Sequence, residues 1–265
     1  MSNFDPFADF RMEGQVAIVT GGAQNIGAAI ARSFSGAGAK VAIADLNGEK
    51  AETTAHEIAE QTGGEVIGMA CNVTSRDDID ACVKRTVDAF GGISTLVNNV
   101  GWGRAYEDPL EVPMDEMVES YKLNTLSAQQ MTAACRPYLL EADNPTVTNS
   151  GSLVGTLPAF DFIAYSASKA ALNHMMLGFA HYFAKKVRIN TILIGTVLTE
   201  GYAAAGLDEK VQHALMHPDN LTGRAGKAED IANAFLWLAS RAGSWVSGQT
   251  IQVAGGGKRV RLMPE

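Results

Sequence analysis

The sequence predicts a single doubly wound α/β domain, in which helices cover both faces of a parallel sheet of about seven strands. Three observations lead to this prediction. Short runs of apolar, β-branched residues alternate with helix-like stretches along the chain. No Pro- or Ser-rich linker divides the 265 residues into separate parts. Apolar residues make up 46% of the chain, which is enough to build one sizeable core.

The first half of the chain contains four predicted strands and three predicted helices. Residues 16–20 form an apolar β-branched run that ends in Gly21-Gly22, and a helix-like stretch over 26–36 follows. This pattern is typical of a strand, a tight turn and a helix. Further strands are predicted at 41–45, 66–70 and 95–98, with helices at 48–61 and 77–90.

The second half repeats the alternation. The predicted elements are a long helix from 114 to about 140, a strand at 146–149, a helix at 164–184, a strand at 188–194, a helix at 228–240 and a strand at 250–253. Between them, residues 196–224 are irregular, and a connection of this length in a compact domain predicts a substrate lid. The single domain spans 1–265, with an N-terminal lead at 1–13 and a C-terminal tail at 257–265.

Charge and composition exclude several classes of function. The 21 basic and 29 acidic residues give a net charge of -8, which repels nucleic acids and anionic membranes and favours a small-molecule partner. No apolar stretch is long enough to span a bilayer and no signal peptide is visible, so we expect a cytoplasmic protein. Cys71, Cys82 and Cys135 have neither CxxC nor zinc-ligand spacing, which predicts buried thiols and no metal site.

The turn after the first predicted strand has the composition of a pyrophosphate site. It contains Gly21, Gln24, Asn25, Ile26 and Gly27, where backbone amides and a helix dipole hold an anion.

A carboxylate follows the second predicted strand. Asp45 lies roughly twenty residues beyond the turn, where it can accept bonds from an adenosine ribose. It would repel the 2'-phosphate of NADP, and neither Gln24 nor its own neighbour Leu46 supplies a cation, so NAD is the predicted cofactor. The alternative is that Asp45 only caps a helix or occupies a solvated turn.

The chemistry is predicted at the other strand ends. Tyr165 and Lys169 stand at i and i+4 on one helix face, directly after the loop that carries Ser152. An alcohol must lose a proton as it loses a hydride, and a lysine ammonium would favour the phenolate that accepts this proton. Asn124 could anchor a water that relays the proton outward. The alternatives are a surface contact for the Tyr–Lys pair and a structural hydrogen bond for Asn124.

These residues together resemble the short-chain dehydrogenase/reductase family. The resemblance rests on the Thr-Gly-x-x-x-x-x-Gly turn at 20–27, Asn-Asn-x-Gly at 98–101, Ser152 and Tyr-x-x-x-Lys at 165–169, and it covers about 16–256. The segment 244–249 and the glycines that follow it look most similar to bacterial hydroxysteroid dehydrogenases.

The resemblance implies a Rossmann-type fold and a role for each matched residue. Tyr165 would be the acid/base, Lys169 would hold the nicotinamide ribose, Ser152 would polarise the carbonyl and Asn124 would complete the proton relay. The remaining implied cofactor-binding residues are Asn72, Val73, Asn99, Gly101, Val197 and Thr199. The resemblance also implies a homotetramer, with the segment 245–253 near a twofold axis.

Four positions depart from the family pattern. Asn25 replaces the usual middle glycine, but asparagine tolerates a left-handed φ. Asn72 replaces the usual Asp, although its amide oxygen can still accept a bond from adenine, and Val100 replaces a common Ala. Ile194 stands where a Pro-Gly turn normally begins, which predicts a more mobile loop towards Thr199.

The predicted substrate wall is mostly apolar and aromatic, which suits a bulky hydrophobic ketone or alcohol of steroid, terpenoid or aryl type. It comprises Trp102, Tyr106, Ser152, Val154, Leu157, Phe160, Phe162, Leu198 and Tyr202. The alternative for these residues is ordinary core packing. The rival functions are an acyl-carrier-linked 3-ketoacyl reductase, which would prefer NADP and a basic docking surface, and a non-catalytic NAD-binding protein.

Overall fold

The computed structural model describes residues 5–197 and 221–256, which form one seven-stranded sheet with helices on both faces. The strands are β1 (Val16–Thr20), β2 (Lys40–Asp45), β3 (Val66–Ala70), β4 (Thr95–Asn98), β5 (Thr146–Ser152), β6 (Arg188–Ile194) and β7 (Thr250–Val253). The helices of the described residues are α1 (Asn25–Gly36), α2 (Gly48–Thr62), α3 (Arg76–Phe90), α4 (Met114–Tyr121), α5 (Ser127–Glu141), α6 (Ile163–Tyr182) and α7 (Ala228–Ala239). The predicted fold class is confirmed.

The order of the strands creates a crevice. Across the sheet they run β3-β2-β1-β4-β5-β6-β7, and every neighbouring pair is parallel. The chain therefore changes its direction of winding between β1 and β4. In open parallel sheets, ligands bind outside the carboxyl ends of the strands at such a switch point.

Two apolar layers hold the helices against the sheet. On one face α1, α2 and α7 bury Phe34, Ile58 and Phe235 completely. On the other face α3, α5 and α6 contribute a second cluster, in which Met131 and Met176 are about 1% exposed. The three cysteines are free thiols within this second cluster, as predicted.

The long predicted helix over 114–140 is confirmed in its extent, because three helical segments follow one another without a gap from 114 to 141, but it is not α-helical throughout. A π-helical turn, Lys122–Leu126, separates α4 from α5. The physical reason lies in side chains that bond to helix carbonyls: Asn124 Nδ2 donates to Ser120 O at 2.9 Å and Ser127 Oγ donates to Leu123 O at 2.5 Å. Such side chains compete with the backbone for its acceptors, and π turns of this kind occur often at functional sites.

Two further elements, β5 and α6, differ from the prediction by more than one residue at one end. Strand β5 continues three residues beyond 149, because Ser150, Gly151 and Ser152 pair with the end of β6. Helix α6 begins one residue earlier than predicted and ends at Tyr182. The longer β5 brings Ser152 to the edge of the sheet where α6 begins.

Parts of the predicted lid and tail lie outside the described residues. Of the predicted lid over 196–224, residues 198–220 are among these, and so is the tail at 257–265. Val197, at the start of the lid segment, forms a β-bridge with Gly226, which lies two residues beyond its end. The N-terminal lead is partly built into the fold, because Met12 is buried and its N–H donates to Ala37 O at 2.7 Å. Across 5–197 and 221–256, no helix has the length and apolarity that crossing a membrane requires.

Candidate active site

A cleft of about 390 Å³ opens at the carboxyl ends of β1 to β4. Eleven of the predicted cofactor-binding residues line it, namely Gly21, Gln24, Asn25, Ile26, Gly27, Asp45, Leu46, Asn72, Val73, Asn99 and Gly101. Three lining residues are missing from the prediction: Cys71, Val100 and Leu123. Each is adjacent in sequence to a predicted residue, which is the signal that could have identified them.

The amino terminus of α1 is open towards this cleft. Asn25 adopts φ 51°, the left-handed conformation predicted for an asparagine at the glycine position. Gln24 precedes the helix without a side-chain cap, whereas Asn47 caps α2 and Ser75 caps α3. The first amides of a helix need an acceptor, so this uncapped end fits a pyrophosphate group.

Asp45 presents a fixed carboxylate at the end of the cleft where the adenosine is predicted to bind. One oxygen accepts a hydrogen bond from Ala23 N at 3.1 Å and the other from Asn47 N at 3.0 Å. The helix-cap alternative is wrong, because Asn47 caps α2. Each oxygen retains a lone pair that a ribose hydroxyl can use.

Lys50 brings a cation to the same end of the cleft, which the sequence reasoning overlooked. Its Nζ donates to Gln24 Oε1 at 3.1 Å. Lys50 lies in the first turn of α2, the helix that follows Asp45, beyond the immediate sequence neighbours on which the cofactor prediction depends. A cation at this position would attract a phosphate group, whereas the carboxylate of Asp45 would repel it.

Asn72 and Asn99 also organise the loops around the cleft. Asn72 Oδ1 accepts from Thr74 N at 3.0 Å and from Thr74 Oγ1 at 2.8 Å. The oxygen expected to face adenine is therefore engaged in its own turn. Asn99 donates to Thr20 O and Gly21 O at 3.2 and 3.1 Å and accepts from Ser150 Oγ at 2.9 Å, which joins the ends of β1, β4 and β5.

Tyr165 and Lys169 share one face of α6. Lys169 is 2% exposed, and its Nζ donates to Ser150 O at 2.8 Å. The same Nζ lies 5.7 Å from the centre of the Tyr165 ring. Removal from water lowers the pKa of Lys169 to about 8, because burial penalises its charged form. The surface-contact alternative for this pair is wrong.

The loop after β4 is fitted closely around these two side chains. A Cβ on Gly101 would lie 2.6 Å from Lys169 Nζ, and a Cβ on Gly103 would lie 2.5 Å from Tyr165 Cγ. Between them, Trp102 N donates to Asn124 Oδ1 and Asn124 Nδ2 donates to Trp102 O, both at 2.9 Å. Asn124 thus makes the structural hydrogen bonds that were the alternative to a proton relay. The relay itself stays a prediction.

One residue of the predicted substrate wall, Phe162, contacts Tyr165 directly. Ser152 is half-buried at the end of β5, and Phe162 makes an edge contact with Tyr165 at 6.5 Å between ring centres. The described wall residues are exposed or half-buried and none belongs to the core, including Trp102, Tyr106, Val154, Leu157 and Phe160. Leu198, Thr199 and Tyr202 lie outside the described residues. In the parts of the chain that are described, no group of three metal-binding side chains is present.

The burial of Lys169 should make the free energy of unfolding depend on pH. Its pKa in the folded chain is about 8, below its ordinary 10.5, so the unfolded chain binds more protons between these values. We expect the free energy of unfolding of the wild type to rise relative to Lys169→Met as pH increases through this window, by on the order of 3 kcal/mol in total. Near pH 7 the variant should be at least as stable as the wild type.

Urea unfolding of the cofactor-free proteins near pH 7 and near pH 10 measures this difference. The exposed Lys186 provides the control, since Lys186→Met should follow the wild type at both pH values. Equal pH slopes for the wild type and Lys169→Met would contradict a buried, titrating ammonium.

Comparisons with known proteins agree with this geometry. A family model described as enoyl-(acyl carrier protein) reductase matches residues 21–258. The chain is 33% identical over 250 residues to 7α-hydroxysteroid dehydrogenase of Escherichia coli K12, covering 94% of this chain and 96% of that one. It is 34% identical over 251 residues to the 3-oxoacyl-[acyl-carrier-protein] reductase FabG of Thermotoga maritima, covering 93% and 98%.

A solved structure has the same architecture. A 7α-hydroxysteroid dehydrogenase in complex with NADH and 7-oxo glycochenodeoxycholic acid superposes with a TM-score of 0.89, at 31% identity over 96% of this chain and 98% of that one. Both the sequence matches and this superposition span nearly the whole chain.

Proposed function

Because this chain belongs to the short-chain dehydrogenase/reductase family, we propose that it is an NAD-dependent enzyme that interconverts a secondary alcohol and its ketone. One observation carries the proposal: the buried Lys169 ammonium lies 5.7 Å from the ring centre of Tyr165 at the edge of the sheet where the cleft opens. A buried cation beside a phenol is costly for stability, and its benefit is a tyrosine that exchanges protons readily.

The proposed proton chemistry centres on Tyr165. During oxidation the phenolate takes the hydroxyl proton of the alcohol, and during reduction the phenol returns a proton to the carbonyl oxygen. An ordinary phenol has a pKa of roughly 10, so the charge of Lys169 is needed to favour the phenolate near neutral pH. Ser152 donates a hydrogen bond to the substrate oxygen. A bound nicotinamide would accept the hydride of the carbinol carbon during oxidation and return it to the carbonyl carbon during reduction.

Asn124 has a proposed role that differs from that of a proton donor. Its side chain holds the backbone of Trp102 from both sides, which fixes the loop against Lys169 and Tyr165. The amide hydrogens of Asn124 bond to Trp102 O and Ser120 O, whereas its Oδ1 accepts one bond, from Trp102 N. We propose that the second lone pair of Oδ1 holds the water that relays the proton.

The cofactor is proposed to be NAD. Asp45 supports this, because its fixed carboxylate accepts a ribose diol and repels a 2'-phosphate. The cleft residues would hold the adenosine and pyrophosphate, Lys169 the nicotinamide ribose, and Val197 and Thr199 the carboxamide. The NADH in the solved hydroxysteroid dehydrogenase structure supports a nicotinamide cofactor in this family.

The substrate is proposed to be bulky and hydrophobic, of steroid, terpenoid or aryl type. The support is apolar surface beside Tyr165 that the described chain leaves open: Trp102 is 60% exposed and Phe160 is 70% exposed. Large exposed apolar side chains around a cleft are typical of a binding site. The 7-oxo glycochenodeoxycholic acid of the solved hydroxysteroid dehydrogenase complex has this character.

The main alternative is a 3-ketoacyl reductase that acts on acyl-carrier-linked substrates. The Thermotoga maritima relative supports it, and so does the cation of Lys50 near the adenosine end. The carboxylate of Asp45 and the net charge of -8 oppose it. A non-catalytic NAD-binding protein is less well supported, because it would not need Ser152, Tyr165 and Lys169 together.

A substrate panel tests the proposed function. Purified protein is incubated with NAD or NADP and with steroid, terpenoid, aryl and aliphatic secondary alcohols, and a 3-oxoacyl thioester is offered with each reduced cofactor. We expect NAD to be reduced by the bulky alcohols. Turnover of the thioester alone would support the acyl-carrier alternative, and no turnover at all would support a binding protein.

We propose that the enzyme is a cytoplasmic homotetramer. α4 carries the exposed apolar side chains of Met114, Val118 and Tyr121 at helical spacing, and Tyr182 and Trp245 are exposed elsewhere in the chain. Two surfaces that each paired with a second copy about a twofold axis would generate a tetramer. Light scattering at micromolar concentration should therefore give four times the mass of one chain, and a monomer would contradict this.

The free cysteines fit a reducing compartment.

A further inference from the structure

The loop after β4 carries an arginine whose position is fixed next to the proposed catalytic tyrosine. Gly103 lies against the Tyr165 ring, and Arg104 follows it directly, so their Cα atoms are about 3.8 Å apart. On the other side of Arg104, Tyr106 N donates to Asp161 O at 2.8 Å. Arg104 is thus held between two attachment points at the open end of the site.

The guanidinium of Arg104 has no carboxylate partner in the described parts of the chain. It lies 5.5 Å from the ring centre of Tyr106, in a cation–π arrangement. Glu107 and Asp108 are the acidic residues nearest to it in sequence, and the bond from Tyr106 N brings the backbone of Asp161 near the loop. None of these three carboxylates forms an ion pair with Arg104. An exposed Arg104 therefore keeps all five N–H donors for a ligand.

Other arginines of the described residues are used differently. Ion pairs with carboxylates involve Arg11, Arg76, Arg85, Arg224 and Arg241. Arg188 donates to backbone carbonyls, among them Leu238 O at 2.8 Å. Arg136 resembles Arg104 in lying over a tyrosine ring, that of Tyr182 at 5.6 Å, but Tyr182 ends α6 seventeen residues beyond Tyr165. Among these arginines, Arg104 is the one adjacent to the proposed site.

We propose that Arg104 binds a carboxylate on the substrate, so that the substrate is an amphiphile with a hydrophobic body, a secondary hydroxyl and an anionic group. This inference rests on the proposed function. A planar guanidinium fits a carboxylate with two parallel hydrogen bonds. The stacking on Tyr106 holds the guanidinium in place, which lowers the entropy lost when the carboxylate binds. The exposed rings of Trp102 and Phe160 are available for the hydrophobic body.

The test compares matched acids and esters. The substrates are 4-(1-hydroxyethyl)benzoate and a hydroxysteroid with a side-chain carboxylic acid, each with its methyl ester. The measured quantity is the ratio of kcat/KM for the acid to kcat/KM for the ester. We expect the wild type to prefer the acid, and Arg104→Ala to lower the ratio roughly tenfold, through KM more than kcat. Arg104→Lys should restore part of the ratio.

Arg136→Ala is the matched control, because it also removes an arginine stacked on a tyrosine and should leave the ratio unchanged. Added salt should lower the wild-type ratio and should not affect that of Arg104→Ala. An acid-to-ester ratio that is the same in the wild type and Arg104→Ala would overturn the inference while leaving the proposed function intact. If neither acid nor ester is oxidised by the wild type in any panel pair, the proposed function itself fails.

Discussion

Replacing Tyr165 with Phe should lower kcat by roughly a hundred- to ten-thousand-fold, which is the usual effect of losing a general acid or base. The ring of Tyr165 packs beside Gly103 and makes an edge contact with Phe162, and phenylalanine retains both contacts. Only the hydroxyl group that exchanges the proton is lost. The fold and the affinity for NAD should therefore survive.

Steady-state kinetics with the best alcohol of the panel, together with NAD titration, measures this effect. Tyr182→Phe is the control, because Tyr182 lies on the same helix and is 64% exposed, so its hydroxyl should not affect turnover. Near-normal turnover by Tyr165→Phe would mean that another group supplies the acid, and the loop that carries Ser152 would be the place to search for it.

Asp45→Ala should change cofactor choice. Loss of a hydrogen bond to a charged group costs about 1.5–3 kcal/mol, so kcat/KM with NAD should fall roughly 10- to 150-fold. The same change removes the repulsion of a 2'-phosphate and leaves Lys50 near Gln24 as an attractive charge. The ratio of kcat/KM with NAD to kcat/KM with NADP should therefore be much smaller in the variant than in the wild type.

Two further variants separate these contributions. We expect kcat/KM with NADP to rise in Asp45→Ala. In the double variant Asp45→Ala, Lys50→Met this rise should disappear, because the cation that bonds to Gln24 is then absent. Asp88→Ala, at an exposed position on α3, should keep the wild-type preference. If the wild type used both cofactors with comparable kcat/KM, the role assigned to Asp45 would be incorrect.

The fold could be predicted from the sequence because its elements are locally determined. Strands β1, β3, β4, β6 and β7 have the predicted bounds, since each is a short run rich in apolar and β-branched residues. The φ of 51° at Asn25 was also predictable, because the position normally holds a glycine and asparagine is one of the few other residues that tolerate a left-handed conformation. Helix periodicity did not reveal the π turn, which depends on the side-chain bonds of Asn124 and Ser127.

Only those site residues that belong to sequence motifs could be predicted. The cleft residues follow strand ends and are recognisable from sequence order. The contributions of Lys50, Gly103 and Arg104 depend on tertiary contacts, namely with the Gln24 amide, the Tyr165 ring and the Tyr106 ring. No spacing rule in the sequence brings these side chains together, so they were identified only in the folded chain.

The most direct test of the central proposal is isotope transfer in a single turnover. A secondary alcohol that the wild type oxidises is prepared with deuterium on its carbinol carbon and mixed with excess enzyme and NAD, and both products are examined by mass spectrometry. The account predicts one deuterium in the reduced cofactor for each ketone formed, and a greatly slowed transfer with Tyr165→Phe. Ketone that forms without deuterium in the cofactor would contradict hydride transfer to NAD and with it the proposed reaction.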